Sequence, residues 1–159
     1  MTTEEFWKIY TSKGDILKNF DITYDFFSNE LPVEFVKNYD VGEVILETRG
    51  HHESAKKFEN VLKFTELLQK KHPELYNEYF QYFDDFLVDY YCFHQNTQEI
   101  EKAFSNFFNN PDKDFDMLLI AFRKLLFYQY TDILDKTIIN IFDTVKSSSK
   151  LMDGAEFEL

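Results

Sequence analysis

The sequence predicts an all-helical protein built from antiparallel helix hairpins, and three observations carry that expectation. Apolar residues recur every three or four positions through most of the chain, the spacing that gathers them on one side of an α-helix. Only 4 Gly and 3 Pro punctuate 159 residues, too few for an all-β sandwich that turns every 8 to 12 residues. Helix-start signals also recur ahead of the apolar runs, beginning with Thr2 and Glu5.

Taken in order, Thr2 and Glu5 make a capping box, and Phe6, Trp7 and Tyr10 form the face of a short helix closed by Gly14. Ile16, Leu17, Phe20, Ile22, Phe26 and Phe27 continue at loose helical spacing until Leu31-Pro32, where proline disfavours helix in the residue before it. Pro32 then opens a short helix through Val36. Val41 to Thr48 is ambiguous, β-branched yet helically spaced. Helix is expected there, because a lone strand would leave its backbone groups unsatisfied. Arg49-Gly50-His51-His52 reads as a turn.

From Ser54, the residues Phe58, Val61, Leu62, Phe64, Leu67 and Leu68 describe one apolar face that stops near His72-Pro73. Tyr76 through Tyr91 is apolar around its circumference and is expected to be a single central helix packed on more than one side. Asn96 with Glu99 caps the next helix, which Asn109-Asn110-Pro111 ends; Asp112 to Tyr128 supplies another, and Thr131 caps a last one. The expected organisation is an N-terminal helical segment over 1–53 packing on a hairpin region over 54–148, with a frayed tail at 149–159.

An internal similarity runs at an offset of 34 residues. Thr97, Lys102, Asn106 and Phe108 match Thr131, Lys136, Asn140 and Phe142, with conservative pairs at Ile100/Leu134 and Phe104/Ile138, and Gln95 falls on Gln129. A helix, a polar turn and a second helix at this period resemble the tetratricopeptide repeat over about residues 79–146. Ala103 keeps a small residue of that family; Thr137, Tyr91 and Leu125 replace others. The resemblance implies hairpins stacked as a short superhelix, with a helical bundle as the other arrangement of the same elements. It also implies a protein- or peptide-binding face, for which the candidate residues are Gln81, Asp85, Asp89, Arg123 and Gln129, with Asp89 and Arg123 at equivalent positions and able to pair.

The formal charge of −12, from 29 acidic against 17 basic residues, disfavours nucleic acids and anionic membranes, which need a positive footprint. A protein or peptide partner, basic for preference, is compatible with it. An acidic inhibitor, immunity protein or nucleic-acid mimic covering a basic active site is the alternative with the same motivation. Met1 to Glu5 lacks the basic and apolar regions of a signal peptide, no apolar run reaches the roughly 20 residues of a membrane span, and Cys92 is alone, so a cytoplasmic protein without disulfides is expected. The ending Gly154 to Leu159 leaves truncation and dimerisation open.

No catalytic signature emerges, and no cofactor is implied. Asp84, Asp85 and Asp89 could do acid–base work but have no companion nucleophile, and Cys92 lies in an apolar stretch that suits a structural thiol. His51-His52-Glu53 resembles a fragment of a hemerythrin-type metal site without the histidines that other helices would supply. Asp112, Asp114 and Asp116 resemble the start of a calcium loop, but Met117 and Arg123 stand where glycine and glutamate belong. Neither is expected to bind metal, and the chain is expected to be non-enzymatic.

Overall fold

The computed structural model describes residues 1–12, 17–81, 83–110 and 115–147. Among these residues every regular element is an α-helix, ten in all. They fall into two compact units, Met1–Gln81 and Tyr82–Leu159, so the change of unit lies inside the span that composition groups as one hairpin region.

The first unit contains α1 (Thr3–Thr11), α2 (Phe20–Phe27), α3 (Val33–Asn38), α4 (Val41–Ser54), α5 (Phe58–Lys71) and α6 (Pro73–Phe80). The capping box at Thr2 forms as expected, with the Thr2 hydroxyl accepting from Glu5 N–H and the Glu5 carboxylate accepting from Thr2 N–H at 2.8 Å. The helix stops at Thr11; Gly14, expected to close it, lies outside the described residues. The centre of the unit is α5, which packs against α2, α4 and α6 with Phe58, Val61, Phe64, Leu67 and Leu68 buried. Aromatic rings fill the rest. Phe6 stacks on Phe26 with centroids 4.1 Å apart, and Phe27 meets Phe64 edge-on at 5.3 Å, the latter a favourable quadrupole arrangement.

Two expectations are corrected here. The ambiguous Val41–Thr48 segment is helical, but Arg49–His52 is not a turn: α4 runs through it to Ser54. Arg49 and His52 are interior residues, with the Arg49 guanidinium 3.9 Å from the Phe80 ring centroid. A cation whose face rests on an aromatic ring can be taken from water at reduced cost, which lets a polar tetrapeptide continue a buried helix. Likewise Tyr76–Tyr91 is not one helix. It breaks into α6 and a following helix α7 (Asp85–Phe93), because the Asp84 side chain accepts from Leu87 N–H at 3.3 Å and caps a new start.

The second unit contains α7, α8 (Thr97–Asn109), α9 (Phe115–Phe127) and α10 (Thr131–Ser147). Phe83, Val88, Cys92, Ile100, Phe104, Phe107, Leu118, Ala121, Leu125, Ile133 and Leu134 form its core. The hairpins α7–α8 and α9–α10 lie with α7 beside α9 and α8 beside α10. Links from Asp85 to Lys124 and from Asp89 to Tyr128 both span 39 residues. Equal spans one turn apart mean that α7 and α9 run in the same direction.

Both hairpins turn in the same way. Gln95 N–H donates to the Cys92 carbonyl and Asn96 N–H to that of Tyr91, while Gln129 N–H donates to Leu126 and Tyr130 N–H to Leu125. Each pair is a Schellman closure, whose residue after the cap must be left-handed; Gln95 and Gln129 take φ of 55° and 63°. The turn between α4 and α5 closes identically through Lys56, at φ 58°, and Lys57.

Candidate functional site

The charged residues that α7 contributes lie in a polar seam against α9. Lys124 Nζ sits 3.2 Å from Asp85 Oδ2 and donates to the Asp85 carbonyl at 2.7 Å, with 8% of the aspartate side chain and 14% of the lysine side chain exposed. One turn on, the Tyr128 hydroxyl donates to Asp89 Oδ1 at 2.5 Å. At the end of the seam Tyr130 donates its hydroxyl proton to the Cys92 carbonyl at 3.2 Å. Burial, and then the Asp89 carboxylate, push the Cys92 thiol up to about 12 despite the opposing pull of Lys124. A thiol so held is not a nucleophile at neutral pH.

Of the five candidate binding residues, the seam takes two out of reach. Asp85 and Asp89 are 5% and 6% exposed, so neither lines an open face. Gln81 is exposed at the end of α6 and belongs to the first unit. Arg123 and Gln129 are exposed, the latter serving the turn. Within the second unit Asp89 accepts from Tyr128, and the cation that reaches α7 is Lys124 rather than Arg123. One residue along a helix is a rotation of about 100°, enough to send Arg123 to solvent and Lys124 inward. Sequence reasoning missed Lys124 and Tyr128, although a lysine inside the apolar run of α9 signals a buried partner.

The opposite side of α9 holds what composition hides. Asp116, Leu119, Ile120, Arg123, Leu126 and Phe127 are all exposed. They recur at the i, i+3, i+4, i+7 spacing of a single helix face. Leu119 leaves 58% of its surface in water and Phe127 leaves 71%, while Leu118, Ala121 and Leu125 on the inner side are buried. The helix is thus apolar on two faces, and among the described residues only the inner one is buried. A second apolar strip on α10 exposes Ile139 and Phe142.

A groove of about 220 Å³ between α8 and α10 is lined by Glu101, Phe104, Ser105, Ile133, Lys136 and Thr137 among others, and the Lys136–Glu101 ion pair, 3.0 Å long, borders it. It holds no histidine or cysteine, and the Thr137 hydroxyl is committed to the Ile133 carbonyl at 2.7 Å. In the first unit Tyr10 donates to Glu47 at 2.5 Å, and burial together with that carboxylate raises the phenol well above its ordinary range. Asn60 meets His52 Nδ1 at 3.3 Å, and His72 Nε2 lies 2.7 Å from the Phe27 carbonyl. Among the described residues no three of His, Cys, Asp and Glu gather as a metal site would require. Asp112 and Asp114 of the calcium-like segment lie outside those residues, and no described helix is long and apolar enough to cross a membrane. Comparison with family models, with curated proteins and with solved structures gives no match to this chain.

Proposed function

We propose that the chain is a non-enzymatic protein-interaction module that binds through the outer face of α9. The observation that carries this reading is the run Leu119, Ile120, Leu126 and Phe127, exposed on one helix face; contiguous apolar patches of this kind on soluble proteins mark interaction sites. The parallel placement of two hairpins with matching turns supports a repeat plan similar to the tetratricopeptide repeat, in which stacked hairpins present extended binding surfaces. Of the five residues that the sequence nominates, Arg123 stays in the proposed face. The buried thiol of Cys92 suits a reducing compartment such as the cytoplasm.

A photo-cross-linking amino acid at Leu126, with Lys63 of the first unit as control, tests the reading in cells. Protein adducts at Leu126 above those at Lys63 are expected, and equal labelling at both sites removes the assigned face. The rival acidic blocker would depend on charge, so its complex would weaken steeply with added salt, whereas apolar docking changes little.

A further inference from the structure

We infer that the outer face of α9 takes one helix of a partner protein, lying parallel to α9 as α9 lies beside α7 and setting a carboxylate against Arg123; this rests on the protein-binding reading above. The 34-residue offset selects the occupant. It relates the two matching turns at Gln95 and Gln129, and it carries Asp85, Phe86, Asp89 and Cys92 of α7 onto Leu119, Ile120, Arg123 and Leu126 of α9. On α7 those positions are where α9 packs. Lys124 reaches Asp85 and lies 5.5 Å from the Phe86 ring centroid, Tyr128 reaches Asp89, and Tyr130 reaches the Cys92 carbonyl. On α9 the equivalent residues are exposed. The surface that α7 offers to α9 is thus offered again, to a helix in the same relation, as nearest-neighbour stacking of repeats requires. Phe127 marks the edge of the contact, because its equivalent, Phe93, is 50% exposed with α9 in place.

The chemistry of the two faces differs, and the difference describes the partner. Asp85 and Asp89 take a lysine and a tyrosine hydroxyl, whereas α9 puts Leu119 and Arg123 in their places. Arg123 is exposed and has no ion pair among the described residues. The partner helix therefore carries an apolar residue at its position i, opposite Leu119 and Ile120, a carboxylate at i+4, opposite Arg123, and a second apolar residue at i+7, near Leu126. The step of four is the one from Lys124 to Tyr128, and this spacing keeps all three side chains on one helix face. Area fits the same occupant. Leu119, Ile120 and Leu126 leave on the order of 300 Å² in water, well under the ~800 Å² per partner of a standard interface, so the footprint is that of one helix and not of a domain.

An alanine-based helical peptide of about four turns, with leucine at i and i+7 and glutamate at i+4, tests the inference against the full chain by amide NMR. Saturable shifts on α9 are expected. A nitroxide at the peptide's N-terminus should broaden Leu119 more than Phe127, as parallel packing demands; the reverse order overturns the placement. Arg123→Glu should weaken binding by about tenfold, and a peptide with lysine in place of its glutamate should recover it. Leu119→Ser should cost about tenfold or more and Phe127→Ser less than about threefold, with circular dichroism to show that each variant folds. Equal losses at the two positions overturn the assignment by offset. Removing residues 149–159 should leave the affinity unchanged, whereas tighter binding would make this chain's own end the occupant. A dimer in sedimentation that the peptide dissolves would make the occupant a second copy. Either result overturns the partner helix. No binding of the peptide, with proteins still cross-linked at Leu126, overturns the single helix and leaves the interaction module standing; no binding and no cross-links remove both.

Discussion

Asp85 shows how far a side chain's role depends on what lies across from it. In the sequence it belongs to an acidic stripe with Asp84 and Asp89, and nothing in that stretch names Lys124, 39 residues away. The charge was legible; its destination was not, because helical periodicity locates a face without saying what covers it. Replacing Lys124 by Met removes the cation from a carboxylate that stays buried, at a cost of about 3 kcal/mol in chemical denaturation. Arg123→Met, next in sequence but exposed, should change stability by about 0.5 kcal/mol or less. Cys92 sets a pH limit. Its thiol ionises near 12 in the fold against an ordinary 9.0, so folding holds the proton more tightly than the open chain does. That contribution is fully present below pH 9 and is lost as pH climbs from 9 toward 12. The denaturation midpoint of the wild type is expected to fall across this window, and that of Cys92→Ala to fall less.

At the scale of elements, legibility followed the locality of the signal. Capping at Thr2 and Asn96 was readable because donor and acceptor lie three residues apart, and both caps form. Asp84 uses the same chemistry but stands inside an aromatic run, so the helix it starts was hidden by the apolar residues on both sides. Arg49–His52 misled in the opposite sense: a polar tetrapeptide with glycine reads as a turn unless the Phe80 ring beneath Arg49 is known. The three hairpin turns carry a testable cost. Lys56, Gln95 and Gln129 hold positive φ where a side chain crowds the backbone and glycine does not. Gln95→Gly and Gln129→Gly are each expected to stabilise the fold by about 0.5–1 kcal/mol, net of the entropy that glycine adds to the unfolded chain. A lowered melting temperature in both would contradict the turn geometry.

For the whole molecule, the helical class was legible from the scarcity of Gly and Pro and from apolar spacing, which are properties of the chain as a string. The division at Gln81 was not, since it follows from which residues share a core and no proline, glycine or polar linker announces it. The first unit has its own buried aromatic cluster around Phe27, Phe35 and Phe64. A fragment ending at Gln81 is therefore expected to keep a helical circular dichroism spectrum and to melt cooperatively; a random-coil spectrum would show that its core is insufficient. The outer face of α9 escaped the sequence for a related reason. An apolar helix circumference announces burial on every side, and only the fold reveals that Leu119, Ile120, Leu126 and Phe127 stay exposed.

The Asp85–Lys124 and Asp89–Tyr128 links stand one turn apart on parallel rods, and that arrangement works as a key. Greasy surfaces alone would let α9 glide along α7 by one turn, about 5.4 Å, with little change in the area they hide. The glide would carry Lys124 away from Asp85 and leave the Tyr128 hydroxyl without its carboxylate. A variant carrying Asp85→Leu, Asp89→Leu, Lys124→Met and Tyr128→Phe is thus expected to melt no lower than wild type yet to give doubled or broadened amide resonances in NMR, trading one alignment for several. Sharp single resonances would mean that the alignment is set elsewhere.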